Sequence, residues 1–325
     1  MGLALDAIDG PETLVQLAYR SVLRREPDVG GLARYAAALR DGQDLAWLLR
    51  ALSASDEFRI PAPAPPPFPL DSAPPMAVDA ACSPAALQAM WDHVAATWSG
   101  MGEAEPHWSV LTDDRFRADA LDADALALFH ESGEEEVRRF RAWLARAGWT
   151  PPADGVCAEF GCGVGRITRS LAREFGRVIG VDVSAPHLRA ARAQLVEDGI
   201  GNVDLVALRG PGDLAALGKI DVFYSVISLQ HSPPPIILDV LGHAFASLRP
   251  GGCAFFQVPT YAREYAYPPG WIEPPGRMEM HFVPQREVLA LAQRHGLTVA
   301  EVQPDWCVGR PGEWISSTFL LLKSG

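Results

Sequence analysis

The chain has 325 residues, 48% of them apolar and 21% charged, and its 40 acidic against 28 basic residues leave a formal net charge of −12. That length suits one large domain plus an appendage, and no uninterrupted apolar run nears the roughly 20 residues a membrane helix requires. The acidic balance opposes the counterion release that drives nucleic-acid binding, and no Lys/Arg-rich run offsets it, so a nucleic-acid partner is disfavoured. The opening MGLALDAIDGPETL lacks a basic region before its apolar residues and carries Asp6 and Asp9, which predicts a cytoplasmic protein that is not exported. Cys82, Cys157, Cys162, Cys253 and Cys307 stand far apart. Without zinc-type spacing or an even count they read as reduced thiols, and no metal site is expected.

Residues 1–60 carry helical periodicity at Leu14, Leu17, Ala18, Val22 and Leu23, and again at Leu32, Tyr35, Ala36 and Leu39. The stretch Arg25-Glu26-Pro27-Asp28-Val29-Gly30-Gly31 separates the two runs, because proline, aspartate and glycine end one helix and start another. A small all-α domain is predicted. YRSVLRREPDVGGLARYAAALRDGQDLAWLLRALSASDEF resembles a bacterial domain of unknown function found beside surface-polysaccharide enzymes and distantly like phycobilisome linker repeats. A protein partner is one expectation for this unit. Residues 61–79 follow as a linker, with eight prolines in PAPAPPPFPLDSAPPM that fix φ and remove backbone donors.

Residues 80–150 read as a helical cap, with Trp91, Val94, Trp98 and then Val137, Phe140, Trp143 and Leu144 at helix spacing. From 151 to 325 short apolar runs alternate with helical segments: VCAEF (156–160), RVIGVDV (177–183), VDLVAL (203–208), IDVFYSVISL (220–229) and GCAFFQV (252–258). This is the βαβ pattern of a parallel sheet with helices on both faces.

Directly after the first apolar run comes Glu159-Phe160-Gly161-Cys162-Gly163-Val164-Gly165-Arg166, followed by a helix expected over Ile167–Glu174. Glycines there let the main chain turn tightly and approach a ligand, and a helix start offers free amides. About twenty residues on, Asp182 ends the second run, where an acid hydrogen-bonds ribose hydroxyls. A dinucleotide would also suit such a turn, but its glycines are spaced GxGxxG to seat a diphosphate. Here the spacing is GxGxG, and Glu159 would repel a diphosphate and attract an ammonium.

These residues, with YSVISLQH (224–231) and LRPGG (248–252), resemble motif I and the later motifs of class I methyltransferases. The resemblance implies a Rossmann-like sheet, mostly parallel with an antiparallel last strand, and S-adenosylmethionine as cofactor. It assigns Glu159, Gly161, Cys162, Gly163 and Gly165 to the methionine end, Asp182 to ribose, Val183 to adenine, and Asp213 with Leu214 to the adenine edge. LTVAEV (297–302) and STFLLLK (317–323) fit the two late strands of that fold. PHWSVLT, FHESG, FQVPTY and MEMH resemble a bacterial subgroup encoded with glycosyltransferases, which places Trp108 at the cofactor and His107 and Ser132 in the cavity.

Methyl transfer needs positioning and one proton acceptor. His231, at the carboxy-terminal edge of the sheet, is the leading base and His281 the second. The stretch 259–284 reads as a substrate-covering lid, with Tyr261, Tyr265, Trp271 and Glu279 as contacts, because aromatic faces with carboxylates recognise polyhydroxylated rings. The expected function is O-methylation of a saccharide or other hydroxylated small molecule. Two other readings stay open: a scaffold whose methyltransferase fold only senses the cofactor, and a nicotinamide dehydrogenase.

Overall fold

A computed structural model of the chain describes residues 10–22, 27, 29–55, 75–268, 276–305, 307 and 313–325. It divides into two compact units, Met1–Asp71 and Ser72–Gly325. The first holds α1 (Gly10–Val22), α2 (Val29–Arg40) and α3 (Leu45–Ser53). Val15, Ala18, Tyr19, Ala36, Leu48 and Leu52 meet in its core, with Tyr19 edge-on to Tyr35 at 5.9 Å. Asp44 caps α3 by accepting the Trp47 N–H at 2.6 Å. Gly30 and Gly31 lie inside α2, so the expected breaker supplies the first turn of that helix.

The second unit begins earlier than the proline count implies. β1 (Ala77–Val78) pairs in parallel with β7 (Ala266–Tyr267), and Met76 is buried against Ala262 and Phe282. The last residues of the expected 61–79 linker are therefore folded, because Met76 has apolar surface to bury. Two long helices follow, α4 (Pro84–Ala104) and α5 (Ala123–Arg146). Ser83 caps α4 ahead of Pro84 and Asp122 caps α5, each accepting an N–H three residues on.

The central sheet has seven strands in the order β4-β3-β2-β5-β6-β9-β8. They are β2 (Val156–Phe160), β3 (Arg177–Asp182), β4 (Val203–Ala207), β5 (Ile220–Ser225), β6 (Leu248–Ala262), β8 (Leu297–Asp305) and β9 (Trp314–Lys323). Pairing is parallel from β4 through β6, and β9 runs antiparallel to both β6 and β8. This is the mixed α/β, Rossmann-like sheet with an antiparallel last strand.

Alternation sorts each strand onto two faces. Cys157, Val178, Val222, Tyr224, Cys253 and Phe255 pack under Val137, Phe140, Trp143 and Leu144 of α5. On the other face Ala158, Phe160, Ile179, Phe223 and Phe256 meet α4, α8 (Pro234–Ser247) and α9 (Gln285–Arg294). Phe256 is fully buried and stacked on Phe319 at 5.0 Å.

β6 extends to Ala262, so the start of the expected lid is strand. Its backbone pairs with β9 across Tyr261↔Ile315 and Ala262↔Trp314, which outweighs its polar composition. β5 ends at Ser225, shorter than the apolar run 220–229. The chain turns there at Ile227, a β-branched residue with φ 54°, a backbone conformation such residues rarely adopt.

Truncating Phe256 should remove this stack and leave a cavity at the centre of the sheet. Phe256→Ala is expected to lower unfolding free energy by about 3–5 kcal/mol, read from the midpoint of urea denaturation.

Candidate active site

Strand order reverses between β2 and β5, and ligands of open α/β sheets bind beyond the carboxy ends of the strands at such a point. Here that point opens into a cleft. Glu159, Gly161, Cys162, Gly163, Asp182, Val183 and His231 all line it. The cap contributes Val94 and Trp98 from α4 and Ser109 and Val110 from the segment after it.

The turn after β2 is fixed by main-chain bonds from Gly161 and Cys162 N–H to Val181 O, at 2.8 and 3.1 Å. Gly161 has φ 73°, and a Cβ there would lie 1.8 Å from Ser228 Oγ. A Cβ on Gly163 would meet Val110 at 2.7 Å. Packing of the protein itself thus requires both glycines. Gly165 lies off the cleft, where a Cβ would reach Ala191. The expected helix Ile167–Glu174 is reduced to α6 (Thr168–Leu171), flanked by turns. Before it, the Arg166 carbonyl packs against Gly133 of α5 so closely that a Cβ on Gly133 would come within 2.1 Å of it.

Asp182 joins two loops. Its Oδ2 accepts the Gly163 N–H and its Oδ1 the Ser184 N–H, both at 2.8 Å. Burial pushes its pKa up. Glu159 is 3% exposed, and burial pushes it up to about 7 against the opposing pull of Thr168 and Arg166. Thr168 Oγ1 donates to Glu159 Oε2 at 2.5 Å. Two carboxyl groups kept from water in one wall favour a cationic ligand and disfavour an anionic one. Burial also pushes the Cys162 thiol up, so it is no nucleophile here.

His231 is 8% exposed and lies 5.1 Å from the Trp98 ring. Its Nδ1 is 2.8 Å from the Glu279 carbonyl oxygen, which can only accept, so Nδ1 carries the proton. Nε2 is then an acceptor, and the Gln230 amide nitrogen lies 3.1 Å from it. Gln230 is itself fixed by Gln257, whose Nε2 donates to Gln230 Oε1 and whose Oε1 accepts the Ile227 N–H. Burial lowers the His231 pKa to about 4, leaving the ring neutral at physiological pH.

Several expected contacts lie elsewhere. Asp213 accepts the Arg209 N–H, and Leu214 is in the hydrophobic core; neither lines the cleft. Trp108 lies under the Arg117 guanidinium at 4.3 Å, and His107 is edge-on to Phe129. Ser132 Oγ accepts from Arg166 Nη1 at 3.1 Å. Tyr261 and Tyr265 pack with Met76 and Phe282. Glu279 and His281 bond each other at 2.8 Å. Trp271 lies outside the described residues.

The pattern of the sequence passed over Trp98, Ser109, Arg166, His187 and Ser228, which the cleft includes. Trp98 sits four residues after Val94 and reads as helix core. His187 follows the cap residue Ser184 in α7 (Ala185–Glu197), and its Nε2 lies 2.8 Å from Ser109 Oγ. Only Arg166 had a signal, its place directly after the glycines.

Gly161→Ala must push Ser228 away in a positive-φ backbone. It is expected to cost about 1–3 kcal/mol of stability, visible as a lower melting temperature, while Gly212→Ala tests positive φ alone, since Gly212 has open space around it.

Residues 158–252 match the family described as a methyltransferase domain, and residues 11–60 match "Domain of unknown function (DUF4214)". A ubiquinone biosynthesis O-methyltransferase of Erwinia tasmaniensis is 38% identical over 101 residues, 30% of this chain and 40% of that protein. A tRNA/tmRNA (uracil-C(5))-methyltransferase of Shewanella amazonensis is 27% identical over 155 residues, 43% of this chain and 42% of that protein. The chain spans less than half the length of the curated relatives it matches. The magnesium protoporphyrin IX methyltransferase of Synechocystis PCC 6803, solved with bound SAH, superposes at a TM-score of 0.51 with 17% identity, over 72% of this chain and 100% of that one. Strand order, glycine turn and these comparisons agree: residues 158–252 match a methyltransferase domain, and the second unit shares the fold of the Synechocystis methyltransferase.

Proposed function

We propose that this chain catalyses S-adenosylmethionine-dependent O-methylation of a hydroxylated small molecule, with a saccharide as the acceptor class. The observation that carries the reading is one cleft holding two buried carboxyl groups, a glycine turn and a neutral histidine.

The residues fit the cofactor. Glu159 and the turn Gly161–Gly163 meet the amino-acid tail, where an ammonium stabilises the Glu159 carboxylate. Arg166 lines the same wall and is the one Lys/Arg cation among the lining residues, suited to the tail's carboxylate. Asp182 faces ribose, and Val183 the base. When bound, S-adenosylmethionine supplies an electrophilic methyl group. The same two carboxyls would repel the diphosphate of a dinucleotide.

His231 holds its Nδ1–H on Glu279 and presents Nε2 as the proton acceptor for a hydroxyl, in the place the Gln230 amide marks. Its weak basicity suffices, because a hydroxyl oxygen becomes strongly acidic as it gains a methyl group. Trp98 closes the cleft above His231 and excludes water. We assign the base to His231 because it lines the cleft, which His281 does not.

Oxygen as the methylated atom is supported by relatives described as O-methyltransferases. The saccharide class is supported by the resemblance of PHWSVLT, FHESG, FQVPTY and MEMH to methyltransferases encoded with glycosyltransferases. The net charge of −12 disfavours a nucleic-acid acceptor such as the one in the name of the Shewanella relative. A protein partner fits the amino-terminal unit, and a cytoplasmic location fits the composition.

The test is methyl transfer from labelled S-adenosylmethionine to panels of nucleotide sugars, glycans and phenols. Transfer only to nitrogen, protein or RNA overturns the reading. Because an ammonium favours ionised Glu159, ligand binding expels a proton below pH 7. Adenosylhomocysteine affinity should therefore rise with pH, by up to about tenfold per unit below 7, and level off above it. Calorimetry should show that slope vanish in Glu159→Gln. His231→Ala should lower kcat by about 10²–10⁴-fold with adenosylhomocysteine binding unchanged.

A further inference from the structure

Behind His231 lies a buried chain of polar groups joining three parts of the fold. Glu279 Oε1 is 2.7 Å from His93 Nε2, and Oε2 is 2.8 Å from His281 Nε2. The side chains of His93, Glu279 and His281 are 7%, 9% and 3% exposed. His93 belongs to α4, 186 residues from Glu279.

A carboxylate only accepts, so both imidazoles direct an N–H at Glu279. The other His281 nitrogen, Nδ1, lies 2.9 Å from the Tyr265 hydroxyl. Burial works against the charge on Glu279, but the hydrogen bonds from His281 and His93 outweigh it and hold its pKa below the usual carboxylate value. Two further bonds tie the same segment to the base. His281 N–H donates to Gln230 O at 2.8 Å, and the Glu279 carbonyl takes the His231 Nδ1–H.

We infer that His93, Glu279 and His281 form a positioning clamp for His231. The side chain of Glu279 is pinned from both sides, so its carbonyl is held where it fixes the His231 tautomer and keeps Nε2 toward the cleft. None of the three lines the cleft, so the clamp acts through His231 and not on the acceptor. This rests on the methyltransferase reading for its catalytic consequence, though not for its structural one. Carboxylates and carbonyls orient imidazoles in this way at metal sites and in catalytic triads; here a carbonyl orients the ring and a carboxylate anchors that carbonyl.

The experiment is ¹⁵N NMR of the full chain labelled at histidine, with parallel kinetics. The wild type should show His231 as a single Nδ1–H tautomer. Glu279→Gln turns an acceptor into a donor facing an N–H, and His93→Ala removes one pin. Each should give a mixed His231 tautomer and at least a tenfold loss of kcat, with adenosylhomocysteine affinity within twofold of wild type. His93→Gln, which keeps a donor, should recover both signals. Should Glu279→Gln fail to fold, the His93→Ala and His93→Gln pair decides alone. Folded variants with the wild-type His231 tautomer overturn the clamp. Absence of methyl transfer by the wild type, with the tautomer shift intact, overturns the proposed function and leaves the clamp standing.

Discussion

The carboxylate of Asp182, accepting main-chain N–H groups from Gly163 and from Ser184, is the interaction on which the site depends. It locks the turn after β2 to the turn after β3. An acid buried that deeply is costly without such donors, and the amides that stabilise it also set the curvature of the backbone lining the cleft. Glycine follows as a requirement at Gly161 and Gly163, because the closed turn leaves no room for a Cβ against Ser228 and Val110. The protein's own packing therefore sets the shape of this loop.

The cap completes this arrangement from the other side. Trp98 and Ser109 come from a part of the chain well before β2, yet Ser109 meets His187 on the helix that Ser184 caps. The strained Ile227 sits where β5 leaves the sheet, its N–H held by fully buried Gln257. Strain of this kind persists only when its surroundings over-determine it. Here Gln257, Gln230 and Ser316 do so through a chain of amide hydrogen bonds.

Much of this was legible in the sequence for a physical reason. Strands buried on both faces are largely apolar, and β2 was readable to the residue even with Glu159 inside it. The turn was legible because closely spaced glycines after one buried strand, with an acid ending the next, suit a backbone that curves around a ligand and little else. What escaped were contacts made by long-range packing. Trp98 and His187 look like ordinary helix residues, and only the docking of α4 on α7 turns them to the cleft. The aromatic stretch around Tyr261 and Tyr265 reads as a lid, but in the fold those rings bury one another beside Met76. Asp213 follows the right strand, but it is used to accept the Arg209 N–H.

α4 touches both ends of the site. Gly102 passes so near Ser184 and His187 that a Cβ there would come within 2.8 Å of the serine oxygen and 3.0 Å of the imidazole. One turn and more earlier on the same helix stand Trp98 and His93. A single helix touches the loop after β3, the ring of His231 and the side chain of Glu279 behind it. In the proposed enzyme, ligand escape and disarming of His231 are thus joined through one helix.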